Sequence, residues 1–447
     1  MISPRLPLTM PGCEEALDIV LDHATRLESE WCPLDQALGR VLHDDVHAGA
    51  CLPPFDNAAM DGFALRVGDG GARAGAEFAV DGRLAAGDGV PALIGDGSAI
   101  EIMTGACVPA SLDAVVPVEQ AIVLARHADG SACRIRLLGD VAVHQHIRRT
   151  GTDVAPGTRI VRAGEPVQPQ HLMLFAALGA TPVAVTRTPR VAVICTGREL
   201  VDDPSRALQP GQIRNGNGPF LAACIAAAGA QCVYRATVGD DADSFIAALE
   251  AARQARADVV LSTGAVSMGA HDFVPEALRR AGADIAFHKV RMRPGKPLLF
   301  ARLAEGMAFF GLPGNPVAAA VGMRFFVEPM LRAMLGMPAQ RALQATLAET
   351  FEKRAPMTFF LKARLCADAS GGLRAEVLPG QESFRVLPLA AANAWAVVPE
   401  AAMRLERGAT VAVHGLGHLQ PPAIDSDSRV RAAVDRHAHA LCVAAGN

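Results

Sequence analysis

Residues 258–281 place an apolar run, a loop of small residues and a helical pattern directly one after another. The run 258–262 (DVVLS) is typical of a buried strand, and the apolar positions of 273–278 share one face of a predicted helix. The residues 263–272 (TGAVSMGAHD) connect the two. Such a loop binds anions, because its free backbone N–H groups converge at the positive end of the helix. The segment therefore predicts an α/β domain with a site for an anionic ligand.

Two further loops in the same region carry chemistry. The run 289–297 (KVRMRPGKP) holds Lys289, Arg293 and Lys296, and 311–316 (GLPGNP) is a rigid turn. Positive side chains would neutralise phosphate here, and an arginine can grip it bidentately. A solvated basic edge is the alternative, but two prolines and a glycine fix the loop around Lys296. Three such loops in this order point to a phosphorylated ligand.

Strands and helices alternate between residues 190 and 335, which predicts a doubly wound α/β domain with a mostly parallel sheet. In this fold, ligands bind at the carboxyl ends of the strands. The predicted strands are 190–195, 231–238, 258–262, 283–290 and 307–312, and the predicted helices lie near 218–228, 243–256, 273–281 and 316–335, with Asn217 capping the first.

Outside this domain the pattern is mostly β, because short apolar runs alternate with Gly-Asp and Asp-Gly turns. The predicted fold class is therefore multidomain α/β plus β, with a small all-β domain inserted in the N-terminal half and a C-terminal β-barrel or sandwich. The expected domains are an N-terminal linking domain (1–46 plus 148–188), the small β domain (47–147), the α/β domain (189–336), the C-terminal β domain (337–420) and a tail (421–447), which either forms one amphipathic helix or is loose.

The composition fits a soluble globular protein. Of the 447 residues 51% are hydrophobic, and the net charge of −4 comes from interspersed charges, so no broad basic face for nucleic acid is expected. The 10 cysteines lack CxxC and zinc spacing, which suggests a reducing compartment. No apolar stretch reaches membrane-spanning length, and the N-terminus lacks a targeting pattern. We expect a cytoplasmic protein that contacts neither nucleic acid nor membrane.

Acidic residues follow three of the predicted strands. Glu199 follows the first, Asp240 the second, and Asp272 ends the Gly-rich loop after the third. If these strands are parallel, the three carboxylates meet at one edge of the sheet. Carboxylates beside an anion site need a cation between them, so Mg²⁺ is predicted there. The alternative for Asp240 is that it and Asp243 cap the next helix.

Three turn-rich segments in the first half have no single interpretation. They are 53–62 (PPFDNAAMDG), which contains Asp56 and Asp61, 102–106 (IMTGA) and 149–153 (RTGTD). Asp and Asn are ordinary turn residues, so the residues alone support a structural and a functional interpretation about equally.

Taken in order, these segments resemble the molybdopterin molybdenumtransferase family, the bacterial counterpart of the C-terminal domain of gephyrin. The resemblance runs from residue 10 to 415 and rests on 53–62, 102–106, 264–269 (GAVSMG), 294–297 (PGKP) and 311–316. It implies an elongated homodimer of four-domain subunits that inserts molybdate into adenylated molybdopterin and releases AMP, with Mg²⁺ assisting. Contacts with the molybdopterin adenylyltransferase and with molybdoenzyme chaperones are further implications.

The resemblance also assigns roles to individual residues. The implied catalytic residues are Asp61, Thr104, Glu199, Asp240, Asp272 and Lys289, of which Glu199, Asp240 and Asp272 would hold the metal. The implied residues for binding the pterin, phosphate and molybdate are Asp153, Gly264, Ser267, Gly269, Arg293, Lys296, Pro313, Asn315 and Ser383. Of these residues, Asp61, Thr104 and Asp153 would face Glu199, Asp240 and Asp272 across the dimer interface.

Some residues depart from the family pattern. Arg198 stands where an Asp is usual, Arg293 replaces a Lys, and Met357 and Lys362 occupy a stretch where Arg is usual. Ala265 replaces the second glycine of the Gly-rich loop, which is tolerable only if this residue does not need a positive φ.

Two other functions stay open. The 190–335 domain resembles the molybdopterin adenylyltransferase, although the flanking β domains argue against that activity. A weakened homologue that binds the cofactor as a scaffold would explain Arg198 and Ala265, whereas the other implied catalytic residues argue against it. The residues leave the choice between molybdate and tungstate open.

Overall fold

The computed structural model describes residues 10–89, 98–266, 273–367 and 371–425. They fall into two compact units, one of them Trp31–Val185 and the other formed by the residues up to Glu30 together with those from Thr186 onwards. None of the helices within the described ranges is both long and apolar enough to span a lipid bilayer.

The unit Trp31–Val185 is built on a six-stranded sheet that buries an apolar face. Its strands, in spatial order, are Ala114–Pro117, Gly62–Leu65, Ser98–Ile102, Glu77–Leu84, Ala132–Leu137 and Ala121–Arg126. The helices Leu34–Ala37 and Pro169–Leu178, the short helical turn Val118–Gln120, and the strand pairs Val46–His47 with Arg159–Val161 and Asn57–Ala58 with Ile147–Arg148 complete it. Strands Ser29–Cys32 and Val183–Thr186 lie where the chain passes between the units. The predicted all-β region in the N-terminal half is confirmed.

The α/β domain belongs to the other unit and contains a second six-stranded sheet. Numbered within this domain, its strands are β1 (Arg190–Thr196), β2 (Gln231–Val238), β3 (Val259–Thr263), β4 (Asp284–His288), β5 (Leu299–Arg302) and β6 (Ala308–Leu312). The spatial order is β2-β1-β3-β6-β5-β4, in which the first four strands are mutually parallel and β5 runs antiparallel to both of its neighbours. The central strands are continuous apolar runs because apolar clusters pack on both faces. The predicted doubly wound, mostly parallel sheet is confirmed.

The sequence prediction did not include β5. This strand has only four residues and follows the basic loop directly, so its sequence carries no periodic signal. It becomes a strand through antiparallel pairing with β6, in which Phe300 lies opposite Phe310.

The helices lie where the sequence predicts them. They are α1 (Asn217–Ala227), α2 (Ala242–Gln254), α3 (Val274–Arg280), α4 (Pro316–Gly322) and α5 (Glu328–Met334), the last two joined by the π-helical turn Met323–Val327. The predicted cap was wrong, because the Asn215 side chain, and not Asn217, accepts the N–H of Gly218 at 2.9 Å. Asn217 is the first helical residue and donates elsewhere.

The C-terminal region forms a closed five-stranded barrel. Its strands are Leu343–Leu347, Thr358–Ala367, Leu373–Val377, Ala394–Val398 and Thr410–Gly415. Closure comes from Thr358–Ala367, which pairs with both Leu373–Val377 and Ala394–Val398. Of the two architectures expected, barrel and sandwich, the structure has the barrel.

Smaller helices and strands complete the unit that contains the α/β domain and the barrel. The helix Cys13–Asp22 contacts α5, and Leu200–Val201 pairs with Ile213–Arg214 beside β1. Phe351–Glu352 pairs with Arg404–Leu405, and the helix Leu387–Ala391 precedes the fourth barrel strand. The two-residue strand Met292–Arg293, from the basic loop, pairs in parallel with the first residues of Thr358–Ala367, so a segment of the α/β domain extends the barrel sheet.

Candidate functional site

A cavity of about 750 Å³ lies at the carboxyl ends of the parallel strands β2, β1, β3 and β6. Parallel neighbours end at the same edge of a sheet, so the loops that follow them converge there. This cavity, which we call the acidic cavity, is lined by Glu199 after β1, Asp240 after β2, Gly264 after β3 and Asn315 after β6. The structure therefore brings together four of the residues that the sequence singled out.

The loop after β3 approaches β1 so closely that Gly264 has no room for a side chain. Its φ is +93°, and a Cβ atom would lie 2.6 Å from Oγ1 of Thr196 and 2.8 Å from its carbonyl oxygen. Nε2 of His288 and the carbonyl oxygen of Val266 are 2.6 Å apart, which anchors the far end of the described loop. Ser267, Gly269 and Asp272 lie outside the described residues.

Ala265 has a φ of +51°, in the left-handed region. The condition stated from the sequence, that this residue must not need a positive φ, is therefore not met. A Cβ in this conformation crowds the following carbonyl oxygen and costs on the order of 1 kcal/mol. Strain of this kind is commonly found at ligand sites, and Ala265 lines the acidic cavity.

The carboxylates of the acidic cavity have different partners. Asp241 is fully engaged as the N-cap of α2, because it accepts from the N–H of Ser244 at 2.8 Å and from its Oγ at 2.7 Å. Among the described residues, the side chain of Asp240 accepts one hydrogen bond, from the N–H of Arg198 at 3.3 Å. The alternative that Asp240 caps the helix is therefore wrong, since its neighbour does so.

No ion pair joins Glu199 or Asp240 to another described residue, although Arg198 lines the same cavity beside these two carboxylates. Within the described ranges, no group of three His, Cys, Asp or Glu side chains is arranged to hold a metal ion. The predicted trio includes Asp272, which is outside those ranges, so that trio stays a prediction. Two carboxylates together with substrate phosphates nevertheless suit Mg²⁺, which needs few protein ligands.

Side-chain amides join the loops around the cavity. Nδ2 of Asn217 donates to the carbonyl oxygen of Gly314 at 2.8 Å, and Nδ2 of Asn315 donates to Oγ of Ser383 at 3.0 Å. Pro313 is buried in the same loop and fixes its start. Ser383, from the barrel region, is thereby held against the loop after β6.

The basic residues lie on a hairpin between β4 and β5. The N–H of Lys289 donates to the carbonyl oxygen of Leu298, and the N–H of Val290 to that of Lys296. Lys289 has a φ of +84°, which is rare for a side chain of this size. Among the described residues, neither Lys289 nor Lys296 lines the acidic cavity. The hairpin that carries them nevertheless begins at the end of β4, the edge strand of the same sheet.

Arg293 lies in a second cavity, of about 300 Å³, which we call the basic cavity. Arg354 lines it as well, together with the carboxylates of Glu352 and Glu382, of which Glu352 is within 4 Å of Arg404 and Glu382 of Arg385, and with Gln381. The Arg293 guanidinium stands 5.8 Å above the ring centroid of Phe359. The sequence analysis missed Arg354, although this residue is in the stretch where the family tends to have arginine.

The remaining predicted residues belong to the unit Trp31–Val185. Oδ1 of Asp61 accepts from both the N–H and the Oγ1 of Thr104 at 2.6 Å, and these hydrogen bonds lower the pKa of Asp61. Asp56 forms an ion pair with Arg149. Asp153 is exposed, with its N–H bonded to the carbonyl oxygen of Leu52. Asp61 and Thr104 are thus one preformed, exposed acidic group.

Comparison with protein families covers nearly the whole described chain. Residues 12–179 match the MoeA N-terminal region (domain I and II), 192–333 match a probable molybdopterin binding domain, and 344–416 match the MoeA C-terminal region (domain IV).

Similar proteins give the same picture. The chain is 35% identical over 421 residues to a molybdopterin molybdenumtransferase of Bacillus subtilis (strain 168), covering 92% of this chain and 95% of that protein. It is 36% identical over 408 residues to the enzyme of that name in Synechococcus elongatus, covering 90% and 98%. The crystal structure of a molybdopterin biosynthesis MoeA protein from Pyrococcus horikoshii superposes with a TM-score of 0.78 at 28% identity, covering 91% of this chain and 99% of that one. The chain belongs to the molybdopterin molybdenumtransferase family and is an enzyme of molybdenum cofactor biosynthesis.

Proposed function

We propose that this enzyme inserts molybdate into adenylated molybdopterin in a Mg²⁺-dependent reaction that releases AMP. The observation that carries the proposal is the acidic cavity, where Glu199 and Asp240 lie beside the turn at Gly264 and form no ion pair with another described residue. A divalent cation would bind the two carboxylates, and a phosphoanhydride would bind the backbone N–H groups of the turn at Gly264.

Glu199 and Asp240 would hold the Mg²⁺ ion, with Asp272 as the third predicted ligand. The ion would supply charge neutralisation for the phosphoanhydride oxygens. The N–H groups of the Gly264 loop and the amides of Asn217 and Asn315 would orient the phosphates and the pterin. The predicted contributions of Ser267 and Gly269 belong to the same loop.

The basic residues would stabilise the charge that develops when an oxygen of water or of molybdate attacks the phosphoanhydride and the P–O bond to the leaving AMP breaks. Lys289 and Lys296 would act from the hairpin, and Arg293 from the basic cavity together with Arg354. Because guanidinium groups bind oxyanions bidentately, the basic cavity is our proposed entry site for molybdate. Tungstate has the same charge and shape and would enter by the same route.

We further propose that the enzyme is a homodimer in which Asp61, Thr104 and Asp153 of one subunit complete the acidic cavity of the other. Apolar side chains left in solvent support self-association, since Trp31 and Met173 are each 73% exposed in the unit that carries these residues. A cytoplasmic location, and contacts with the molybdopterin adenylyltransferase and molybdoenzyme chaperones, stay part of the proposal.

The test is AMP release from adenylated molybdopterin, measured with and without molybdate and Mg²⁺. We expect release that needs both ions and that Glu199→Gln reduces at least tenfold. Consumption of ATP with free molybdopterin would instead indicate the adenylyltransferase. Tight binding of adenylated molybdopterin without AMP release would contradict the proposal and favour the scaffold function.

A further inference from the structure

We propose that Lys362 is a positioning residue that holds the Ser383 loop, residues 380–385, against the acidic cavity. The inference rests on the proposed function, because it concerns the geometry in which that site receives the pterin. It does not assign Lys362 any contact with substrate.

Lys362 is only 1% exposed, on the barrel strand Thr358–Ala367. Its ammonium donates to three backbone carbonyl oxygens, those of Gly380 at 2.6 Å, Glu382 at 3.2 Å and Arg385 at 3.2 Å. An ammonium has three donors, so every one of them is used on a single loop. Burial lowers the pKa of Lys362.

A second residue ties the same loop to the same strand position. The Gln381 amide accepts the backbone N–H of Lys362 at 3.0 Å and donates to its carbonyl oxygen at 2.9 Å. The amide also donates to the carbonyl oxygen of Leu378 at 2.6 Å. Side chain and backbone of Lys362 therefore both fix the loop, from its beginning to its end.

The other side of the loop reaches the α/β domain. The carbonyl oxygen of Ser383 accepts the N–H of Val317 at 3.0 Å, and Oγ of Ser383 accepts from Asn315 at 3.0 Å. Asn315 precedes α4 without capping it through its own side chain, so the barrel loop supplies the acceptor that the first turn of α4 lacks. Since Asn315 lines the acidic cavity, and Gln381 lines the basic one, a displaced loop would alter both.

These contacts give a structural role to Lys362, to which the resemblance to the family assigns none. A buried ammonium whose direct hydrogen-bond partners are all carbonyl oxygens is costly in free energy, and a methionine of similar length would pack there without that cost. The lysine is therefore explained by what it organises, which is the position of Ser383.

The first test is amide hydrogen exchange of Val317 in the ligand-free protein. In Lys362→Met we expect this exchange to accelerate at least tenfold, because the acceptor on Ser383 moves away. The matched control is Lys353→Met, since Lys353 is equally buried at 3% and also donates to three carbonyl oxygens, those of Met357, Pro399 and Glu400. The control should leave Val317 exchange unchanged. Equal acceleration in both variants, or none in Lys362→Met, would overturn the proposal.

The second test is a double-mutant cycle on the KM for adenylated molybdopterin. We expect Lys362→Met to raise KM about tenfold, and the double variant with Ser383→Ala to be no worse than Lys362→Met alone. If the fold-increases in KM of the two single variants multiply in the double variant, Lys362 acts independently of Ser383, and the proposal is overturned. If Lys362→Met does not fold, Gln381→Ala replaces it in both tests with a smaller expected effect in the same direction. If the unmodified enzyme releases no AMP, the proposed function fails, while Val317 exchange still decides whether Lys362 holds the loop.

Discussion

Oγ1 of Thr196, at the end of β1, donates to the carbonyl oxygen of Thr263, at the end of β3, at 3.1 Å. This bond fixes the hydroxyl at the point where any side chain on Gly264 would have to go. The loop that begins the acidic cavity is therefore shaped by the strand beside it as well as by its own residues.

We predict that Gly264→Ala lowers the free energy of unfolding by about 2–3 kcal/mol, because a methyl group would both strain the backbone and clash with Thr196. The control is Gly306→Ala, since Gly306 has a φ of +83° with nothing within 4 Å of the added Cβ. That variant should lose only about 1 kcal/mol, the strain alone. Chemical denaturation measures both, and equal losses would refute the steric explanation.

Ala265→Gly should stabilise the protein by about 0.5–1 kcal/mol, because it relieves the strain at a φ of +51°. Ala281→Gly is the contrasting variant, since Ala281 has a φ of −79° and a glycine there brings only added freedom to the unfolded chain. We expect that variant to lose stability in the same denaturation experiment. A destabilised Ala265→Gly would show that the alanine methyl group packs usefully.

Asp240→Asn should raise the Mg²⁺ concentration for half-maximal AMP release at least tenfold, because the variant removes one of the two carboxylates of the acidic cavity that are proposed to hold the ion. Asp243→Asn is the control, since Asp243 is engaged with Arg280 at 2.8 Å on the outside of α2. Titration of activity with Mg²⁺ distinguishes the two. An unchanged Mg²⁺ requirement in Asp240→Asn would remove Asp240 from the proposed metal site.

The titration of His418 should lower the free energy of unfolding as the pH drops from 6.5 towards 4. Burial, followed by the positive charge of Arg332, lowers the pKa of His418 to about 4. The unfolded chain therefore binds a proton in this window that the folded chain does not, so acid favours unfolding, by on the order of 2–3 kcal/mol for this residue. In the fold, Nδ1 of His418 lies 3.2 Å from Nη1 of Arg332, and Nε2 lies 3.1 Å from the carbonyl oxygen of Ala228.

The measurement is the free energy of unfolding against pH for the unmodified protein and for His418→Gln. We expect the variant to show a shallower slope between pH 6.5 and 4. His414, whose pKa burial also lowers to about 4, keeps part of the slope in both proteins. Identical slopes would mean that His418 does not titrate differently in the folded and unfolded chain.

The α/β elements could be predicted because buried parallel strands and amphipathic helices leave strong periodic signals. The short strand β5 left none, since its pairing partner β6 defines it. Asn217 was assigned as a cap from its residue type, but Asn215 also suits that role, and only the chain path decides between them.

The residues of the acidic cavity could be predicted where they directly follow a strand of the parallel sheet. Glu199 and Asp240 were identified because each follows a strand, and the topology then brought them to one cavity. The role of Lys362 was not understood from the sequence, because its hydrogen-bond partners are 18 or more positions away, in a loop that folds onto the barrel strand. Ala265 has a positive φ, which is unusual for an alanine. Its backbone strain could therefore not be predicted from the residue type.

The pairing of Met292 with Thr358 and of Arg293 with Phe359 limits how such an enzyme can be recombined. The barrel carries, as an added strand, two residues that belong to the hairpin of another domain. A chimaera joined between α5 and the first barrel strand would therefore exchange a barrel without the strand that extends its sheet. An exchange between homologues that keeps this strand must replace residues 289–298 together with the barrel. The residues that have to be exchanged as one set are therefore discontinuous in sequence.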